Sequence, residues 1–433
     1  MNVRRSAAAL ATAGVLAAAA PALAASPSPS PSAVLPSGLY GDSDPKYDGV
    51  WRQSLALLAQ RTVSVTPAAK AVDWLTGQQC ASGAFAAFRA EPAGACDAKV
   101  MTDTNSTAAA VQALVAVGGH EDATGKAVTW LKSVQNKDGG WGYAPGGASD
   151  ANSTAVVIGA LAAAGERPAE VAKGGRSPYD ALLKLALPCT RAGTGDGAGA
   201  FAYQPDKKGA LAANADATAA AVVGVLGAGL DAKAGKPDQT SGTESGKESG
   251  TESGKESGTG CVDSDRLTPE RAAANGASYL ARAVAEDGHL TSALAGAPEQ
   301  PDYGNTADAV VALAAQGGAQ RAAKPLAWLE KNAVAWAKQS GPAGYAQLIF
   351  AAHAAGADPR DFGGTDLVRA LNATGPAPQT DEATKATKTA DASGEKKDDG
   401  GSGAGLWWMV GAGLAAGAGI GFLLSGRRKQ QQL

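Results

Sequence analysis

The chain has 433 residues, 45% of them hydrophobic, and a formal net charge of −3. That length and apolar content are enough for a large core. The mixed charge leaves no basic face for nucleic acid.

Residues 1–24 carry Arg4 and Arg5, an alanine-rich apolar run and Ala22-Leu23-Ala24 at the end, the pattern of a cleavable secretory signal peptide. Residues 25–46 are a Pro/Ser-rich leader, extended where they read "SPSPSPS" from Ser26. The body, 47–372, becomes intelligible as a repeat array. Five segments align: "DTNSTAAAVQALVAVGG" from Asp103, "DANSTAVVIGALAAAGE" from Asp150, "NADATAAAVVGVLGAGL" from Asn214, "DYGNTADAVVALAAQGG" from Asp302 and a degenerate "GPAGYAQLIFAAHAAGA" from Gly341. The aligned segments share polar cap residues, about three turns of small aliphatic residues and a terminal glycine, which are helix start and stop signals. Helices apolar nearly all round belong inside. Before each lies a more amphipathic partner, such as "GKAVTWLKSVQN" or "AKPLAWLEKNAVAWAK", which belongs outside. Stacked pairs of this kind form either an open solenoid or a closed ring. Two unpaired helices, "GVWRQSLALLAQR" near the start and "GTDLVRALN" near the end, are placed to supply a sixth pair that closes the ring.

Within the body, 236–260 is a low-complexity insert with two copies of "TESGKESG" from Thr243, read as a solvated loop. Residues 373–405 form a polar stalk. Residues 406–424, "LWWMVGAGLAAGAGIGFLL", are uncharged and are followed by Arg427, Arg428 and Lys429, which predicts a single transmembrane helix with a cytoplasmic tail at 425–433. The body is then expected outside the cell, held at the membrane by one C-terminal span. Gly413, Gly417 and Gly421 in that span allow close packing with a membrane partner, a transporter or a second copy. "LNATG" at Leu371 is a poor sortase signal, since Asn372 stands where proline or alanine is expected. The four cysteines of an exported chain favour disulfides over metal thiolates. Of three pairings, Cys80 with Cys96 and Cys189 with Cys261 is the simplest.

"QNKDGGWG", Gln135 to Gly142, resembles the glutamine and tryptophan motif of squalene and hopene cyclases. With the repeat plan it is similar to the α/α-toroid superfamily of terpenoid cyclases, protein prenyltransferase β-subunits and transcobalamin-type cobalamin carriers. Weaker copies start at Gln78, Gly193 and Ala285. The resemblance implies an all-α fold, an α/α toroid of five to six helix pairs, and a structural role for Gln135, Asp138, Gly139, Gly140 and Trp141. The residue types agree: the glycines open backbone angles closed to others, and the indole buries a large surface with one N–H to satisfy.

The cyclase acid motif, Asp-x-Asp-Asp-Thr-Ala, has its counterpart in "DTNSTA" and "DANSTA", where Asn105 and Asn152 replace the proton-donating middle aspartate. An amide is no strong acid. Only "NADATA" keeps an acid there, Asp216, read first as a helix cap and as a weak candidate catalytic acid. Adjacent aspartates for a magnesium motif occur only at Asp398 and Asp399 in the stalk, and no metal site or cofactor is expected. Asn105-Ser106-Thr107 and Asn152-Ser153-Thr154 fit glycosylation acceptors but are read as caps.

A ring would gather Asp103, Asn105, Asp150, Asn152, Asn214, Asp216, Asp302 and Asn305 at one mouth, where helix N-termini present unpaired N–H groups. Tyr143, Tyr203 and Tyr303 are expected beside them. Polar groups around an apolar bowl suit an amphiphilic small molecule, cobalamin-like or isoprenoid, bound for uptake. An isoprenoid-processing enzyme and a surface scaffold for protein contact are the alternatives.

Overall fold

The computed structural model describes residues 36–97, 100–189, 197–236, 255–256, 260–264, 266–292 and 299–379. They fall in one compact unit; the second unit, from Asp381 on, lies outside them, as do the predicted signal peptide, half of the leader, most of the insert, the stalk beyond Gln379 and the transmembrane segment. Among the described residues no helix is long and apolar enough to cross a membrane.

Six helices form an inner ring: α1 (Gly49–Thr62), α3 (Thr104–Val117), α5 (Ala151–Ala163), α7 (Ala215–Val225), α9 (Tyr303–Gly317) and α12 (Pro342–Ala354). Each packs on the next, and α12 returns to α1. The closed alternative is the observed one. Small side chains are what make it close, because Ala151, Ile158, Ala160 and Leu161 on α5 are all fully buried and the helix is covered on every side. The outer helices are α2 (Ala69–Gly77), α4 (Glu121–Ser133), α6 (Pro178–Leu183), α8 (Pro269–Ala283), α10 (Ala319–Asn332) with α11 (Val334–Ser340), and α13 (Leu367–Asn372). The expected single helix "AKPLAWLEKNAVAWAK" is therefore two, divided at Ala333.

The sixth pair is α1 inside and α13 outside, and a seam of hydrogen bonds joins the two ends of the ring. Gln60 Nε2 donates to Asn372 Oδ1 (2.7 Å), Tyr40 Oη to the Pro376 carbonyl (3.0 Å) and the Gln379 N–H to the Thr66 carbonyl (2.9 Å). Disulfides link Cys80 to Cys96 and Cys189 to Cys261. The second spans the insert, whose Lys255–Glu256 (β1) pairs antiparallel with Val262–Asp263 (β2), so the expected loop is paired at its end. Leu290–Thr291 (β3) and Pro301–Asp302 (β4) form another short ladder ahead of α9.

The stretch that looks most like an active site is a fastener. Trp141 is almost fully buried and its indole N–H donates to the Leu131 carbonyl of α4 (2.7 Å). Gln135 Nε2 donates to the Gly139 carbonyl (2.7 Å) and the Val171 carbonyl (3.0 Å). Asp138 accepts from the Gly140 N–H (3.1 Å) and Ser149 Oγ (2.8 Å). Gly139 has φ +93°, and a Cβ there would lie 2.2 Å from the Ser177 carbonyl oxygen ahead of α6. Only glycine fits that contact.

Each such turn is locked to the inner helix that follows by one threonine. The backbone N–H groups of Phe85, Trp141, Phe201 and Leu290 donate to the hydroxyls of Thr107 (2.9 Å), Thr154 (3.1 Å), Thr218 (2.8 Å) and Thr306 (3.0 Å). This recurrence fixes a common register for the start of four inner helices.

Candidate functional site

In that register the first position caps the helix, the third faces the centre of the ring and the fifth is the locking threonine. Asp103, Asp150, Asn214 and Asp302 occupy the first position, and each accepts from a backbone N–H three residues on, at 2.6, 2.7, 2.8 and 3.0 Å. None of them lines the central cavity. Their role is capping, which satisfies N–H groups that would otherwise have no partner. The third position holds Asn105, Asn152 and Asp216, all three of which line the cavity. The expectation that Asn105 and Asn152 cap their own helices is thereby corrected. In the fourth helix the third position is Gly304, and Asn305 bonds back to Asp302 rather than facing inward.

The three tyrosines lie beside the caps but not in the cavity wall. Tyr143 and Tyr203 give their carbonyls to the Thr104 and Ala151 N–H groups, tying each turn to the neighbouring inner helix. The Tyr203 hydroxyl bonds Asp150, and enclosure together with the Asp150 charge pushes its pKa up to about 12. Tyr303 lies between Trp328 and Trp336, with ring centroids 5.1 and 5.8 Å away. None of the three lines the cavity.

The cavity has a volume of ≈ 220 Å³. Its walls are apolar: Trp51 and Leu55 of α1, Ala155 and Val156 of α5, Ala219, Ala220 and Val223 of α7, Val311 of α9 and Phe350 of α12. Its polar groups are Asn105, Asn152, Asp216, Asp308 and Gln347. Among the described residues no lysine, arginine or histidine lines it. Among the described residues, no cluster of three or more His, Cys, Asp or Glu could hold a metal ion.

Asp216 accepts a hydrogen bond from Asn152 Nδ2 (2.7 Å). Its place in the first turn of α7 favours the ionised form through the helix dipole. Enclosure outweighs that, and the Asp216 pKa is raised, with the Asp302 charge adding to the effect. Asp308 faces Gln347 Nε2 at 3.3 and 3.4 Å, and desolvation followed by the Asp216 charge raises its pKa from 3.8 to about 7. The side-chain oxygens of Asn105 and Asn152, Oδ1 in each, are buried without a hydrogen-bond partner. A chamber of this kind disfavours the ionised form of its carboxyls and offers acceptors to a guest.

Asp308 and Gln347 were not singled out from sequence. Asp308 stands at the seventh position of the register, where α5 and α7 place the wall residues Val156 and Ala220. The fourth repeat thus carries its carboxyl one turn deeper, with glycine at the usual site. A lone aspartate within the apolar run "TADAVVALAA" was the available signal.

Residues 51–184 match the family model described as "Prenyltransferase alpha-alpha toroid domain". The ring has the α/α toroid fold that this description names. Over 101 residues the chain is 37% identical to the drimenyl diphosphate synthase of Streptantibioticus cattleyicolor, which is 23% of this chain and 16% of that protein. Among solved structures, ent-copalyl diphosphate synthase from Streptomyces platensis aligns at 15% identity and a TM-score of 0.44, over 71% of this chain and 50% of that one. A type II terpene cyclase from Scytonema aligns at 16% identity and a TM-score of 0.29, over 70% and 78%. The toroid therefore spans a small part of the sequence relative and half of the first structure.

Proposed function

We propose that the toroid takes a neutral isoprenoid chain into its central cavity and processes it by alkene protonation, with Asp216 as the proton donor. The observation that carries this reading is a carboxyl of raised pKa, oriented by an amide, at the head of an apolar chamber. In the step, the Asp216 O–H gives its proton to one alkene carbon. The π electrons form the new C–H bond, and positive charge rests on the adjacent carbon. Asn152 Nδ2 holds the carboxylate that remains. Attack by a second alkene of the same chain can move the charge, and loss of a proton from a neighbouring carbon back to Asp216 restores the acid.

The lining supports a hydrocarbon rather than a diphosphate in the chamber, because no cation is there to meet a phosphate. The sequence relative is named a drimenyl diphosphate synthase, which favours an isoprenoid chain as the part held in the chamber. A volume of ≈ 220 Å³ is below the ~300–1,000 Å³ usual for drug-sized ligands, which favours a short chain over a corrinoid macrocycle. Residues 1–24 and 406–424 remain, in this proposal, the export and anchoring segments of the full chain.

A second reading is retention of a polar amphiphile without turnover, favoured by the unpartnered Oδ1 atoms of Asn105 and Asn152, which suit a guest hydroxyl. Incubating the full chain with polyprenyl substrates separates the two. Product formation that falls by about 100-fold or more in Asp216→Asn is expected for an acid catalyst. Turnover absent from both proteins, or equal in both, removes the enzyme reading.

A further inference from the structure

The lower end of the chamber is made by the end of the third aligned segment and the residues that follow it. After α7 the chain does not leave the ring. It turns at Gly227 (φ +69°) and runs inward as a strap to Gly235. Three contacts hold it there. The Leu230 N–H donates to Gln112 Oε1 (2.9 Å), while Gln112 Nε2 donates to the Val156 carbonyl (3.1 Å). Gln112 is a nearly fully buried amide on an apolar inner helix, and its acceptor is spent on the strap. Gly159 on α5 lets the strap nest, since a Cβ there would lie 2.8 Å from Gly229 Cα. At the far end the Gly235 N–H donates to the Ala314 carbonyl of α9 (2.9 Å).

The strap thus crosses the ring from α5 and α3 to α9, and Ala228, Gly229 and Leu230 line the cavity. Leu230 has the largest side chain of the three. Asp216 and Val223 mark the upper and lower levels of the α7 wall, and seven residues of helix give a depth of about 10 Å. An extended isoprene unit spans about 5 Å by ordinary bond lengths, so roughly two units fit between the acid and the strap.

We propose that the strap is the floor of the chamber and that Leu230 gauges the length of the apolar chain it admits, giving preference to a ten-carbon portion below Asp216. This deepens the isoprenoid reading and rests on it for the class of guest. It does not rest on turnover. Trimming Leu230 lowers the floor, and enlarging it raises the floor, so the two changes must act in opposite directions.

The test is binding of geraniol, farnesol and geranylgeraniol to the full chain in lipid nanodiscs, by calorimetry against empty discs. Helicity and melting temperature are recorded for each protein. Wild type is expected to prefer the ten-carbon alcohol. Leu230→Ala should shift the ratio of dissociation constants by about tenfold or more toward the fifteen-carbon alcohol, and Leu230→Trp should weaken the ten-carbon alcohol by about tenfold or more. A ratio unmoved in either folded variant, shifts in one direction in both, or no binding by wild type overturns the proposal. Product analysis on the same wild-type sample keeps the two ideas separable. Opposite shifts without any turnover uphold the strap and sink alkene protonation, whereas turnover with a static ratio does the reverse.

Discussion

The turn from Gln135 to Trp141 and the chamber around Asp216 are both rich in polar groups, yet they are opposite in kind. In the turn the indole, the amide and the aspartate find their partners within the fold. In the chamber two amide oxygens have none and two carboxyls are held above their ordinary range. Polar residues that are fully satisfied lower the free energy of the fold, whereas those left wanting raise it and persist where something else is served. The comparison teaches which residues to call structural, and it can be broken by stability measurements.

The largest effect is expected in the turn. Trp141→Ala should cost about 3–5 kcal/mol in urea unfolding, as for other buried aromatics. A loss below about 1 kcal/mol would show that the turn is not what fastens α4.

Next comes Asp308, whose folded pKa lies near 7 against an ordinary 3.8. At pH below 3.8 both states hold the proton and nothing is lost. As pH rises from there to about 7 the unfolded chain releases it while the folded chain keeps it, so stability falls, by on the order of 4 kcal/mol, and then levels off. In Asp308→Asn the share of the decline due to this carboxyl should be lost, while Asp216, also raised, keeps its own. Equal pH slopes in the two proteins between pH 4 and 8 would remove Asp308 from the account.

The smallest effect is expected at Asn105. Its Oδ1 has no partner to lose, so Asn105→Leu should change stability by less than about 0.5 kcal/mol, or raise it. A cost near that of Trp141→Ala would erase the distinction between turn and chamber.

The fold was largely legible because its signals are local and repeated. Caps at Asp103, Asp150 and Asp302 and glycines after the helices mark each inner helix, and the unpaired segments at the two ends indicated closure. Part of the chamber was legible for the same reason, since aligning the repeats puts Asn105, Asn152 and Asp216 at one position. What escaped was whatever departs from the repeat. Asp308 lies one turn below its expected level because Gly304 stands in the register position. The first residues of the strap Gly227–Gly235 close the aligned segment from Asn214, and only the glutamine buried beneath them, Gln112, reveals that the strap is tied inward. That the three tyrosines stay out of the cavity wall was not legible, because nearness to a cap in sequence does not say which way a ring turns.

The seam between the two ends also governs how the protein is made. Tyr40 and Pro376 join 336 positions apart, so the ring is sealed only after its last helices exist. An open stack of repeats can grow unit by unit. Here the side of α1 that meets α12 stays bare throughout synthesis, an apolar strip exposed to wrong neighbours until the final segment emerges. Assembly is a clasp shut at the end, and every delay before it snaps is time in which that strip stays open to wrong contacts.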